Sequence, residues 1–131
     1  MSSIFSKIIT GEIPSHKIAE TDDYYAFLDI FPVTKGHTLV VPKKEVDYIY
    51  DLEDELLSGL HLFAKKIAIA VKKAYPCERI SVAVVGFEVP HAHVHLIPTN
   101  TMADLQFTQK LKLSQEELAE VAQNIQAHLN D

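Results

Sequence analysis

The chain has 131 residues, 47% of them hydrophobic and 23% charged, which excludes a disordered or collagen-like polymer and leaves room for one domain with an unstapled core. Twelve basic residues against eighteen acidic ones give a formal charge of −6, so a broad electrostatic grip on nucleic acid is not expected, while a small anionic ligand in a local pocket stays open. Cys77 is the one cysteine, which rules out an internal disulfide and a Cys-rich zinc site. No apolar run approaches the roughly 20 residues that span a bilayer, and the opening MSSIFSKIITGEIP lacks a signal-peptide core. The expected location is the cytoplasm, with no membrane partner.

In chain order, residues 3–9 (SIFSKII) predict a short helix stopped by Gly11 and Pro14. Residues 17–20 and 24–29 predict two strands joined by the turn Thr21-Asp22-Asp23. After Pro32 and Gly36, residues 37–41 (HTLVV) form a β-branched run ended by Pro42. The longest predicted helix covers 53–75 and stops at Pro76. Its broad apolar face is Leu56, Leu57, Leu60, Phe63, Ala64, Ile67, Ala68 and Val71, with a thin second stripe of Leu62 and Ile69.

Residues 80–85 predict a strand apolar enough to be buried on both sides. A break at Gly86 and Pro90 leads to another strand over 91–97. Ser114 and Glu117 form a capping box that opens a last helix carrying Leu118, Val121, Ala122, Ile125 and Leu129. The pattern predicts an α+β fold: a five-stranded antiparallel sheet covered on one face, one long helix, and short N- and C-terminal helices. The four scattered glycines, without strand–helix alternation, disfavour a Rossmann unit or a Gly-rich phosphate loop.

Three of the seven histidines lie in Pro90-His91-Ala92-His93-Val94-His95-Leu96-Ile97-Pro98. On a strand, His91, His93 and His95 share one side, with steps of roughly 6.5–7 Å, while Ala92, Val94 and Leu96 face a core. Three imidazoles are costly filler, because each buried ring needs partners for both nitrogens. Two chemistries fit the row equally. The imidazoles could gather a metal, or one could be a nucleophile whose neighbours hold a phosphate.

The row resembles the histidine-triad (HIT) motif, His-φ-His-φ-His-φ-φ with φ apolar. Ile4-Phe5-Ser6-Lys7-Ile8-Ile9 with Gly11-Glu12-Ile13-Pro14, then 26–30 (AFLDI) and 35–43 (KGHTLVVPK), resemble that family's other blocks in order. The likeness covers residues 3–98, leaving 99–131 as an extension of the same domain, and is nearest the Hint-like branch. It implies a nucleotide hydrolase or transferase acting at the α-phosphate, such as a nucleoside phosphoramidase releasing a nucleoside monophosphate. By motif position His93 would be the nucleophile that forms a nucleotidyl-histidine, His95 would contact phosphate, and His91 and His37 would support them. Asp29 would bind ribose hydroxyls, and Phe5, Ile8, Phe27 and Ile30 would form the base slot. For those four apolar residues ordinary core packing is the competing explanation.

The chain also departs from the family. Some members hold a structural zinc with a Cys-x-x-Cys in the first helix and a later histidine; here those positions are Ser3, Ser6 and Glu45, so no metal of that kind is expected. The stretch before the triad is shortened to 85–90 (VGFEVP), and Glu88 stands where many members have a neutral hydrogen-bonder. As part of the nucleotide-binding set its carboxylate would repel an anionic leaving group and favour a neutral or cationic one, a solvent-facing side chain being the competing explanation. No cofactor is expected if imidazole is the nucleophile. The resemblance and the Leu62/Ile69 stripe imply a homodimer. The alternatives are a nucleotide-sensing module with little catalysis and a His-ligated metallohydrolase.

Overall fold

The computed structural model describes residues 2–130. In order it contains α1 (Ile4–Ile9), β1 (Lys17–Glu20), β2 (Tyr24–Leu28), β3 (Thr38–Pro42), a 3-10 turn at Ile49–Asp51, α2 (Asp54–Ala74), β4 (Arg79–Ala83), β5 (Val94–Thr99), a second 3-10 turn at Met102–Asp104, and α3 (Gln115–Gln126). All five strands form one antiparallel sheet in the order β1-β2-β3-β5-β4. β5 lies beside β3, so residues of the histidine row meet those around His37: Leu39 pairs with His95 and Val40 with Val94.

The strand alternation splits the core in two. Ala26, Leu28, Val40, Val94 and Leu96 join Ile18 and Ala92 against α2 and α3. From α2, Leu60, Phe63, Ala64, Ile67, Ala70 and Val71 are buried, and Leu56, Leu57 and Ala68 pack partly against them. On the opposite face Tyr25, Phe27, Leu39 and Val41 are covered by Phe5, Ile8 and Ile9 of α1. The sheet is therefore covered on both faces, not one, and the second cover is only six residues long.

Two glycines permit close approaches that a side chain would obstruct. Gly59 faces the Tyr24 hydroxyl, which donates to the Leu56 carbonyl at 3.0 Å. Gly36 has φ +99°, and a Cβ there would press on Pro98 and the Tyr75 ring. That left-handed turn delivers His37 to the start of β3.

Several boundaries differ from the sequence expectation. β2 ends at Leu28, and Pro42 closes β3 from inside its last position. α3 ends at Gln126, so Leu129 packs from a turn beyond it. β4 is not buried on both sides: among the described residues it is an edge strand hydrogen-bonded only to β5, with Val82 59% exposed and Val84 and Val85 also outside. Apolarity alone does not distinguish an edge strand from a central one. The expected strand 91–97 begins only at Val94; His91 and His93 precede the ladder, where the Ala92 N–H donates to the Val46 carbonyl. Leu62 and Ile69 do lie outside the α2 core face, 68% and 49% exposed.

Candidate active site

The short cover of α1 leaves a cleft of about 560 Å³ between α1, the end of β2, the loop before β5 and the segment after it. Of the residues singled out from sequence, Phe5, Ile8, Phe27, Asp29, Ile30, Glu88, His93 and His95 line it. His37 and His91 stand behind that lining, 1% and 0% exposed. Phe5 and Phe27 meet edge to face at 5.4 Å, and Phe5 meets His93 at 4.9 Å. Glu88 is exposed on the rim. Sequence reasoning missed Ile4, Phe31, Leu39, Phe87, Phe107 and Lys110, all of which also line the cleft.

The histidines lie in a row, with 5.0 Å between the ring centroids of His93 and His95 and 5.2 Å between those of His95 and His37. Their partners fix their protons. The Val33 N–H donates to His37 Nδ1 at 3.0 Å, so that nitrogen holds a lone pair and His37 carries its proton on Nε2. His37 Nε2–H then donates to His95 Nδ1 at 2.9 Å, which leaves the His95 proton on Nε2. His93 Nδ1 faces the His91 carbonyl at 2.7 Å, and a carbonyl only accepts, so His93 is protonated on Nδ1 and its Nε2 holds a lone pair. One cleft-lining imidazole therefore offers a nucleophile and its neighbour offers a hydrogen-bond donor.

Burial holds His37, His95 and His91 neutral. Burial pushes His37 down to about 3, assisted by the positive charge of Lys110 and by His93. It pushes His95 down to about 4, with His37 and His93 assisting and Asp29 opposing. Burial also lowers His91, against the pull of the Pro42 carbonyl and Glu45. Asp29 caps its own turn: Oδ1 accepts the Phe31 N–H at 2.9 Å, and Oδ2 lies 3.8 Å from His37 Nε2.

At the far end of the row, His91 Nε2–H donates to the Pro42 carbonyl at 2.7 Å, so its Nδ1 accepts from the Ser3 hydroxyl at 2.8 Å. Glu45 Oε1 accepts the Ser3 N–H at 2.6 Å and the Ser6 hydroxyl at 2.7 Å. Ser3, Ser6, Glu45 and His91 thus form a closed hydrogen-bonded group that ties α1 to the row. The Ser3 N–H above all, then the Ser6 hydroxyl, holds the Glu45 carboxyl down to about 2.

Asp29, His37 and His95 place one ligand atom each within 4.8 Å of one another. The protons argue against a metal there. Binding through His37 Nε2 would require moving its proton to Nδ1, directly against the Val33 N–H, and two donors would then face each other in a buried site.

Residues 10–102 match the family model described as HIT domain. The adenosine 5'-monophosphoramidase of Saccharomyces cerevisiae is 44% identical over 72% of this chain, and the match spans 61% of the yeast protein. A HIT-like protein of Borreliella burgdorferi is 36% identical over 96% of this chain and 97% of its own. Among solved structures, a Hit-like protein of Bartonella henselae described as involved in cell-cycle regulation superposes with a TM-score of 0.86 at 37% identity, covering 97% of this chain and 96% of that one.

Proposed function

From the premise that this chain belongs to the HIT domain family, we propose that it hydrolyses nucleoside phosphoramidates or related nucleotide conjugates at the α-phosphate, with His93 as the nucleophile. The observation that carries the reading is the protonation pattern. The His91 carbonyl keeps the proton on His93 Nδ1, so the Nε2 lone pair is free to attack phosphorus beside the Nε2–H of His95.

In the first step Nε2 bonds to phosphorus, the P–N bond breaks, and the departing amine nitrogen takes a proton from solvent. The positive charge gained by the ring sits at Nδ1–H, against the His91 carbonyl. Water then attacks the nucleotidyl-histidine and gives a proton to solvent, replacing the one taken up by the amine; the new P–N bond breaks with its electron pair returning to Nε2, and a nucleoside monophosphate leaves. His95 donates to a phosphate oxygen, and His37 fixes the tautomer that allows it. Asp29 accepts from ribose hydroxyls through Oδ2, since Oδ1 is already engaged. Phe5, Ile8, Phe27 and Ile30 enclose the base. Glu88 sits on the rim, where its charge favours a cationic or neutral leaving group over an anionic one. No metal or organic cofactor enters these steps.

The same reading treats residues 1–131 as one domain, because α3 buries Leu118, Val121 and Ile125 in the core shared with α2. It includes a homodimer, for which the exposed Leu62/Ile69 stripe is the supporting feature, and work in a reducing compartment such as the cytoplasm, which a lone thiol fits.

The test is His93→Gly beside the wild type, with an adenosine phosphoramidate as substrate and intact-mass spectrometry after rapid acid quench. The wild type should show turnover and a nucleotidyl adduct. The variant should lose at least about a thousandfold in kcat and all adduct, while still binding the monophosphate. Substantial turnover by the variant would remove His93 from the role. A wild type that binds the monophosphate without turnover or adduct would make this a sensing module instead.

A further inference from the structure

Beyond the family-matched segment, which ends at residue 102, the chain comes back to the cleft. The Leu111 N–H donates to the Pro32 carbonyl at 2.8 Å, and the Gln109 N–H closes a turn onto the Gln106 carbonyl at 3.0 Å. Those bonds fasten the segment beside the end of β2. Phe107 packs edge to face on the His95 ring, 5.3 Å between centroids. Lys110 follows that turn directly and lines the cleft.

The charges of that lining are uneven. Asp29 and Glu88 are acidic, and Lys110 is the one lysine or arginine among the described lining residues. Its ammonium has neither an ion pair nor a hydrogen bond among the described residues. The tautomer chain from Val33 through His37 to His95 leaves both rings neutral, and only His95, through its Nε2–H, has a donor to give a phosphate, which it can hydrogen-bond but not neutralise. An anionic phosphoryl group between Asp29 and Glu88 needs a positive counterpart.

We propose that Lys110, set in place by Phe107 and the Leu111–Pro32 bond, is the phosphate-recognising cation of this site, supplied by the segment after β5 and not by the HIT domain match. This inference rests on the nucleotide reading above and deepens it. A compact ammonium at the mouth suits a phosphate oxygen approached from outside, while His95 donates from the floor. The lysine contributes to binding and turnover through charge, so its effect must follow the phosphate and not the base.

Calorimetric titration of adenosine 5'-monophosphate and of adenosine into wild type, Lys110→Met and Lys110→Arg separates these terms. Lys110→Met is expected to weaken the monophosphate about tenfold and leave adenosine within about twofold; Lys110→Arg should keep most of the monophosphate affinity. The monophosphate affinity of the wild type should fall with added salt more steeply than that of Lys110→Met. With a phosphoramidate substrate, kcat/KM of Lys110→Met should fall by a similar factor. Unchanged monophosphate affinity in Lys110→Met, in a wild type that turns substrate over, overturns the role of Lys110 alone. Equal losses for both ligands overturn it too, since the lysine would then act on the shape of the slot. A wild type that binds neither ligand and turns nothing over brings down the nucleotide reading and this inference together.

Discussion

The two faces of the sheet are built by the same strands and treated very differently. On one, Ala26, Leu28, Val40, Val94 and Leu96 meet helices of 21 and 12 residues, and the contact is closed. On the other, Tyr25, Phe27, Leu39 and Val41 meet a helix of six residues, and the cover stops short. Every residue to which a chemical role is assigned here lies on or beside the short-covered face. Stability is concentrated where the cover is complete, and the cleft exists because α1 cannot span the sheet.

Paired truncations on the two faces should break that comparison if it is wrong. Ile67→Ala, at a fully buried position on α2, should cost about 2–5 kcal/mol in urea denaturation with little change in nucleoside affinity. Ile30→Ala, 48% exposed in the cleft wall, should cost under about 1 kcal/mol yet weaken adenosine binding several-fold. Equal stability losses at the two sites would show that the cleft wall is core.

A second prediction uses pH. His37 and His95 bind protons in the folded state only near 3 and 4, whereas in the unfolded chain they titrate near about 6.5. The unfolded state therefore takes up more protons as pH falls. The stability these rings permit is fully present above about pH 6.5 and is lost as pH drops toward 4, by up to about 1.4 kcal/mol per pH unit for each ring. His91, also lowered, adds in the same direction. Denaturation at pH 7, 6 and 5 reads this before the lowered carboxylates such as Glu45 and Glu117 contribute at more acid pH. His95→Asn should flatten the slope; a wild-type stability independent of pH from 7 to 5 would mean that His37 and His95 are not held neutral by burial.

Much of the covered face was legible because its signals are periodic. The α2 stripe, the Ser114–Glu117 capping box and the alternation of Ala92, Val94 and Leu96 with histidines each follow from a local repeat. The histidine-rich face was legible in its composition but not in its wiring. His37 and His95 are 58 residues apart, and only the pairing of β3 with β5 makes them hydrogen-bonded partners. Phe107 and Lys110 lie in a stretch with no helical or strand period. Phe107 and Lys110 stand there among scattered leucines and a second lysine, Lys112, with nothing local to single them out. β4 was misread for the converse reason: an apolar run is equally consistent with the centre of a sheet and with its edge.

The smallest effect tests whether the closed group at the far end of the row belongs to the cleft or only to α1. Ser3 serves both: its hydroxyl oxygen accepts the Ser6 N–H at 3.0 Å as the α1 cap, and its proton goes to His91 Nδ1. Ser3→Ala removes a helix cap and leaves His91 Nδ1 facing only the Ser6 hydroxyl, 3.5 Å away and already given to Glu45, at a cost of about 1–2 kcal/mol. His91 keeps its bond to the Pro42 carbonyl, and the His91 carbonyl still accepts from His93, so the nucleophile's tautomer survives. What moves is α1, and with it Phe5, which packs on both His91 and His93. Ser3→Ala should therefore raise KM several-fold and change kcat little, and Ser3→Thr, which restores the hydroxyl, should recover both stability and KM. A drop in kcat with KM unchanged would place the serine in the chemistry of His93 and not in the geometry of the slot.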